Sequence, residues 1–241
     1  MWMLDFAGRE KMHRLILFDV DGTLLSTNGR AAGALGAALR ETFGTAGPIK
    51  HYQWAGKTDP QIVFELLAGA GIPRTEAGPR LPEVFDRYCS HLAQRLSPSN
   101  TRALAGVREI LEALGRRPDM AVGLLTGNIQ RGAEIKLRTA GLSGLFAVGA
   151  YGSDEEDRNR LVAVARSRAR TRWGEEFPGM RTVVVGDAEP DIDCARAGGA
   201  AAVAVASGKT PRETLSALKP DVLLDSLASP LALPALIGPQ G

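Results

Sequence analysis

Apolar residues along this chain follow two rhythms, and from residue 101 onward the rhythms alternate. One is the short, almost wholly apolar run: Leu15–Phe18, Met120–Leu125, Leu145–Val148, Thr182–Val185, Ala202–Val205 and Val222–Leu224. Runs of this length, apolar at successive positions, predict strands covered on both faces. The other rhythm is the helical spacing of Val107, Ile110, Leu111 and Leu114. It returns between Asn128 and Gly141, over Leu161–Trp173, from near Asp191 to the Gly198-Gly199 pair, and over Pro211–Leu218. Buried strands alternating with helices predict an α/β fold with a doubly wound, parallel, Rossmann-like sheet.

Residues 26–100 carry only the helical rhythm. Leu35, Leu39 and Phe43 mark a first helix over 30–43, weakened by Gly33 and Gly36. A second starts near Pro60, with Asp59 placed to cap it. Its apolar stripe is Ile62, Val63, Leu66, Leu67 and Ala70, and Gly71 and Pro73 end it. A third runs from Leu81 to Leu96, and Ser97–Thr101 reads as a linker. The expected organisation is a core of residues 12–25 and 101–241, with an all-helical domain, 26–100, inserted after the first strand. Residues 1–11 are expected to be a disordered extension ahead of Met12, and the Pro-rich tail carries no signal.

Composition narrows the class. The 241 residues are 44% hydrophobic, enough for a substantial core. A net charge of +2, 5% aromatic content and no polybasic block argue against nucleic-acid binding. No apolar run approaches the roughly 18 residues of a membrane span. The N-terminus lacks the apolar segment of a secretion signal, so a cytoplasmic location is expected, and either a monomer or a homodimer is compatible with the sequence. Cys89 and Cys194 read as free buried thiols of a reducing compartment.

The chemistry sits where strands end. Leu15–Phe18 runs into Asp19-Val20-Asp21-Gly22-Thr23. In an extended chain residues two apart point the same way, so both carboxylates can face one site. Their repulsion calls for a cation, and Mg²⁺ suits hard oxygen ligands. A calcium loop counted from Asp19 would need Gly and Glu where Leu24 and Arg30 stand. A strand followed by an Asp-rich turn is the plain structural alternative. Thr126-Gly127-Asn128 and Gly186-Asp187 end two further buried strands. In open α/β sheets, ligands bind beyond the carboxyl ends of the strands, so these motifs converge.

The ensemble resembles the haloacid dehalogenase-like hydrolases. The matching residues are Asp19-Val20-Asp21-Gly22-Thr23, Leu125-Thr126-Gly127-Asn128, a basic residue ahead of a helix, and Gly186-Asp187-Ala188-Glu189-Pro190-Asp191. The helical insert looks like the small cap of the phosphoglycolate phosphatase-like branch. This resemblance implies Asp19 as nucleophile and Asp21 as general acid, then base. It implies Mg²⁺ held by Asp19, the Asp21 backbone carbonyl, Asp187 and, directly or through water, Asp191. Asp191 is equally readable as a helix cap. Gly22, Thr23, Thr126, Gly127 and Asn128 would receive the phosphoryl oxygens; Thr126 and Asn128 are also readable as turn and cap residues.

The usual family lysine is missing, since no lysine lies between Lys136 and Lys209. Arg158 is the favoured replacement, with Arg160 the second candidate; both are also readable as partners of Asp154–Asp157. In the insert, Gly56-Lys57-Thr58-Asp59 offers Lys57 to a substrate anion, or serves only as a capping turn. His51, Tyr52 and Trp54 are weaker candidates, while His13 and His91 read as surface or packing residues. The expectation is a Mg²⁺-dependent phosphatase of a small phosphorylated metabolite, working through an aspartyl-phosphate. A phosphomutase, a phosphonate hydrolase using Lys57 or Lys50, and a non-catalytic binding module compete with it.

Overall fold

A computed structural model describes residues 14–238; the expected N-terminal extension lies outside the described residues. Six parallel strands form the main sheet. They are β1 (Arg14–Phe18), β4 (Met120–Thr126), β5 (Val148–Tyr151), β6 (Thr182–Gly186), β7 (Ala201–Val205) and β8 (Val222–Leu224). Their order is β5-β4-β1-β6-β7-β8. Strand order reverses between β1 and β6, which is where a doubly wound sheet opens its crevice. Phe18, the last residue of β1, stands opposite Leu124 on one side and Val185 on the other, so the three central strands end close together, at Phe18, Thr126 and Gly186.

Alternation along β1 serves two cores. Ile16 and Phe18 join α5 (Val107–Gly115) and α10 (Ala232–Ile237) on one face. Leu15 and Leu17 join α7 (Leu161–Trp173) and α8 (Glu189–Ala197) on the other, where α9 (Arg212–Ala217) adds Leu215. Residues after β1 leave the sheet through β2 (Leu25–Ser26), which pairs antiparallel with β3 (Arg102–Ala103). Between these two strands the chain is helical: α1 (Arg30–Phe43), α2 (Asp59–Ala68), α3 (Arg74–Ala77) and α4 (Leu81–Arg95). They enclose a third core around Leu35, Leu39, Val63, Leu66 and Leu92. Ile129, just before α6 (Gln130–Thr139), joins that core.

Several expectations are corrected. The fifth-strand run, expected at Leu145–Val148, lies three residues later, because Val148 is the first residue to pair with Gly123 of β4. Thr58, not Asp59, caps α2: its hydroxyl accepts the Gln61 N–H at 3.3 Å. The α2 helix stops at Ala68, capped by Gly69, before Gly71 and Pro73. The α8 helix starts at Glu189 rather than Asp191. Residues around 26 and 102 pair as strands, and the tail forms α10. Both cysteines are free and buried, as expected.

Leu17 is fully buried at the centre of the sheet. Leu17→Ala is expected to cost about 2–5 kcal/mol through a cavity the rigid strands cannot close. The urea unfolding midpoint checks this.

Candidate active site

The turn after β1 aims both aspartates into the crevice. The Asp19 N–H donates to Val185 O at 2.9 Å, which extends sheet pairing one residue past β1. Gly22 then takes φ +91, a value that L side chains rarely adopt. A Cβ there would lie 2.4 Å from Asp187 Oδ2, and one on Gly208 would lie 1.7 Å from the same atom. The two glycines therefore form a cradle around the Asp187 carboxylate. Thr23 completes it, donating its hydroxyl to Asp187 Oδ1 at 3.2 Å.

Asp19, Asp187 and Asp191 each bring a carboxylate oxygen to within 4.8 Å of the others, and all three side chains are buried. Burial is the main cause that raises the pKa of each; for Asp191 it reaches about 7. Their mutual repulsion adds to this, with Asp19 and Asp191 both acting on Asp187. One cation is already present. Arg158 Nη2 donates to Asp19 Oδ1 at 3.0 Å and to Asp191 Oδ1 at 2.5 Å. Its Nη1 donates to Gly56 O at 3.0 Å, which ties the site to the helical insert. Burial disfavours the Arg158 charge, but Asp191 and Asp19 outweigh it and move its pKa up. One guanidinium facing three carboxylates leaves negative charge uncompensated. A compact set of hard oxygen donors with surplus negative charge fits a divalent cation such as Mg²⁺.

The remaining positions divide clearly. Asp21, Gly22, Thr126, Gly127, Asn128 and Lys57 line a cavity of about 380 Å³ with Asp19, Arg158 and Asp187. Its wall on the insert side includes Leu35, Trp54, Ile62 and Tyr88. The Asp21 side chain points away from the carboxylate cluster; its Oδ2 accepts Asn128 Nδ2–H at 2.8 Å. Thr126 Oγ1 accepts the Asn128 N–H at 3.3 Å and Nδ2–H at 2.8 Å, which leaves its own hydrogen to donate.

Other placements correct the sequence reading. Thr23 is buried behind Asp187 and does not line the cavity, so its hydroxyl orients the Asp187 carboxylate. Asp191 does not cap α8 as an N-cap residue. It is the third helical residue, and its Oδ2 accepts the Ala188 N–H at 3.0 Å while Oδ1 serves Arg158. Arg160 stays outside the site, with its side chain 69% exposed and 3.9 Å from Glu155. The acidic turn does not hold Arg158, because Asp154 pairs with Arg168 and Asp157 caps the Asn159 N–H. Lys57 reaches the cavity, but its ammonium is tied to Glu65 Oε2 at 2.5 Å, where Tyr52 also donates at 2.7 Å. His91 accordingly sits against Glu41 at 2.9 Å, well away from the chemistry.

Two buried charged residues that line the cavity were not expected in the site. Lys136, on α6, is buried with Nζ 2.5 Å from both Asp21 Oδ2 and Asn128 Oδ1. Its sequence signal is its place among Ala133, Leu137 and Ala140 on the apolar stripe of the helix. Asp59 is buried too, and its Oδ2 accepts the Ile129 N–H at 2.8 Å. Burial raises the Asp59 pKa to about 6, against the pull of Lys136. The Asp59 N–H donates to Gly127 O at 2.7 Å, so the turn before α2 rests directly on the Thr126–Asn128 loop.

Comparisons with known proteins identify the family. Residues 16–205 match the family described as haloacid dehalogenase-like hydrolase. The phosphoglycolate phosphatase of Pectobacterium atrosepticum is 27% identical over 224 residues, covering 91% of this chain and 92% of that protein. The phosphoglycolate phosphatase of Synechococcus elongatus is 30% identical over 218 residues, covering 88% and 92%. The crystal structure of CbbY from Rhodobacter sphaeroides in complex with phosphate shares the fold, with TM-score 0.62, 20% identity and coverage of 93% and 99%. The chain therefore belongs to the haloacid dehalogenase-like hydrolases, and within them it is a phosphatase of the phosphoglycolate phosphatase-like branch.

Gly208→Ala is expected to displace the Asp187 carboxylate and to destabilise the protein by about 1–3 kcal/mol, read from the urea midpoint. A second expectation concerns pH. A buried carboxyl with a raised pKa keeps its proton in the folded chain after the unfolded chain has lost it. Folding stability of the chelator-treated protein should therefore fall as pH rises from about 4 to about 7. Asp191→Asn should flatten that slope in thermal melts taken across the same range.

Proposed function

We propose that this enzyme hydrolyses a small phosphorylated metabolite through an aspartyl-phosphate on Asp19, with Mg²⁺ at the carboxylate cluster. The observation that carries the reading is the opposed use of the two aspartates. Asp19 is held in the metal-type cluster by Arg158, while Asp21, two residues on, faces the cavity and the α6 side.

Arg158 occupies Asp19 Oδ1, which leaves Oδ2 to attack phosphorus. As the new O–P bond forms, the bond to the leaving-group oxygen breaks, and that oxygen takes a proton from Asp21. A water molecule then gives its proton to Asp21 and attacks the same phosphorus. The acyl phosphate bond breaks, Asp19 is restored as carboxylate, and inorganic phosphate leaves. Thr126 Oγ–H and the Gly127 and Asn128 amides, ahead of α6, are suited to hydrogen-bond phosphoryl oxygens. Asp19, Asp187 and the Asp21 backbone carbonyl would hold Mg²⁺, with Asp191 in direct or water-mediated support. When bound, the ion supplies the positive charge that lets a carboxylate approach a phosphate dianion.

We read residues 26–100 as a cap that closes the cavity. Support comes from its separate core, the two-stranded ribbon at its base and the contact of Asp59 with the Gly127 loop. Phosphoglycolate is the first substrate to try. The relatives' names point to it, and Arg102 and Lys209 line the cavity without an ion pair among the described residues. A cytoplasmic site of action fits such a substrate. Among the described residues no helix is long and apolar enough to cross a membrane.

Asp19→Asn is the decisive variant. It should lower phosphate release by about a thousandfold or more while the protein still melts cooperatively. Turnover within a few-fold of the native enzyme would reject the mechanism. Mg²⁺ at about 100 times its Kd should add about 2.7 kcal/mol of stability. At one fixed Mg²⁺ concentration the gain should be greater at pH 8 than at pH 5, because bound metal needs the carboxylates deprotonated and its Kd rises as they protonate. Thermal melts with and without the ion check this.

A further inference from the structure

We propose that Lys136 is a positioning residue that fixes which oxygen of Asp21 exchanges protons with substrate and water. This rests on the acid–base role given to Asp21 above. The side chain of Lys136 is 3% exposed, yet its ammonium ends in the cavity wall. It reaches Asp21 Oδ2 and Asn128 Oδ1, both at 2.5 Å. Asn128 turns its Nδ2 back to the same Asp21 Oδ2 at 2.8 Å.

Two N–H donors therefore converge on one oxygen of Asp21, and Lys136 also sets the orientation of the Asn128 amide that supplies the second. Asp21 Oδ1 has no hydrogen-bond partner among the described residues. An oxygen that already accepts two hydrogen bonds has little room for a proton. When Asp21 carries a proton it must carry it on Oδ1, the oxygen left facing the cavity. Asp59, whose Oδ2 is held by the Ile129 N–H, adds a second carboxylate whose charge acts on Lys136 from the insert side. Without the ammonium, Asp21 would be free to rotate and present either oxygen at any angle. The leaving group would then lose an aligned acid while Asp19 and Arg158 stayed in place.

Two aryl phosphates of nearly the same shape separate this role from a structural one. Nitrophenolate leaves phosphorus without a proton, whereas phenolate needs one. Because kcat/KM reports only the steps through departure of the first product, it isolates the acid role from the later water attack. Lys136→Met should lower kcat/KM for phenyl phosphate at least about tenfold more than for p-nitrophenyl phosphate. Asp21→Asn should show the same skew, and larger. An equal loss on both esters, or no loss on either, would overturn the proposal while leaving the phosphatase reading intact. A native enzyme inactive on both esters and on phosphoglycolate would overturn that reading and the proposal with it. Should Lys136→Met fail to fold, Asn128→Ala removes the other donor to Oδ2. It must then show a skew in the same direction, or the proposal fails.

Discussion

Negative charge forced together away from water is the constraint on which this structure turns. Three carboxylates, Asp19, Asp187 and Asp191, crowd the neighbouring ends of β1 and β6 with one guanidinium among them. Burial of unpaired charge is expensive, so such a cluster persists only where the surrounding fold over-determines it. Here the sheet does so. The strands on either side of β1 are almost wholly buried and tightly registered, and together with α8 they fix the backbone from which the acids project. The instability stored there is the property that a bound divalent cation would relieve.

The chain spends its glycines on this point. Gly22, with its positive φ, and Gly208, in the loop after β7, leave room for Asp187 that no other residue would leave. Arg158 reaches in from the turn just before α7 and grips both Asp19 and Asp191, while its Nη1 holds Gly56 in the insert. Its two terminal nitrogens divide the work, Nη2 serving both carboxylates and Nη1 the Gly56 carbonyl, a spread that a lysine would have to cover from one atom. Arg158 therefore links the carboxylate cluster of the core to the helical segment. A second cation, Lys136, works on the other aspartate, so the two carboxylates of the first motif answer to different partners.

Much of this was readable in the sequence. The apolar runs before Asp19, Thr126 and Asp187 gave the strands, and the carboxyl-end rule brought their polar tips together. The two-residue strands β2 and β3 carry no periodicity, and only their pairing defines them. The β5 strand was displaced by three residues because Gly149 interrupts the apolar run. Thr58 and Asp59 can both cap a helix, and the choice fell to Thr58 because Asp59 is engaged by the Ile129 N–H of another element. Thr23 and Arg160 were misplaced for a related reason: sequence adjacency to a motif does not say which way a side chain points. Lys136 was overlooked because a lysine on a helix is ordinarily solvated. Only its place on a buried stripe, and the cavity formed by distant segments, give it a role.

The central claim is that burial and mutual repulsion hold protons on this cluster until a divalent ion displaces them. Calorimetric titration of the metal-free enzyme with Mg²⁺ near pH 6.5, in buffers of differing ionisation enthalpy, counts those protons directly. The account predicts one ion per chain with net proton release, and loss of both in Asp187→Asn. Binding without proton release, or equal binding by the variant, would contradict it.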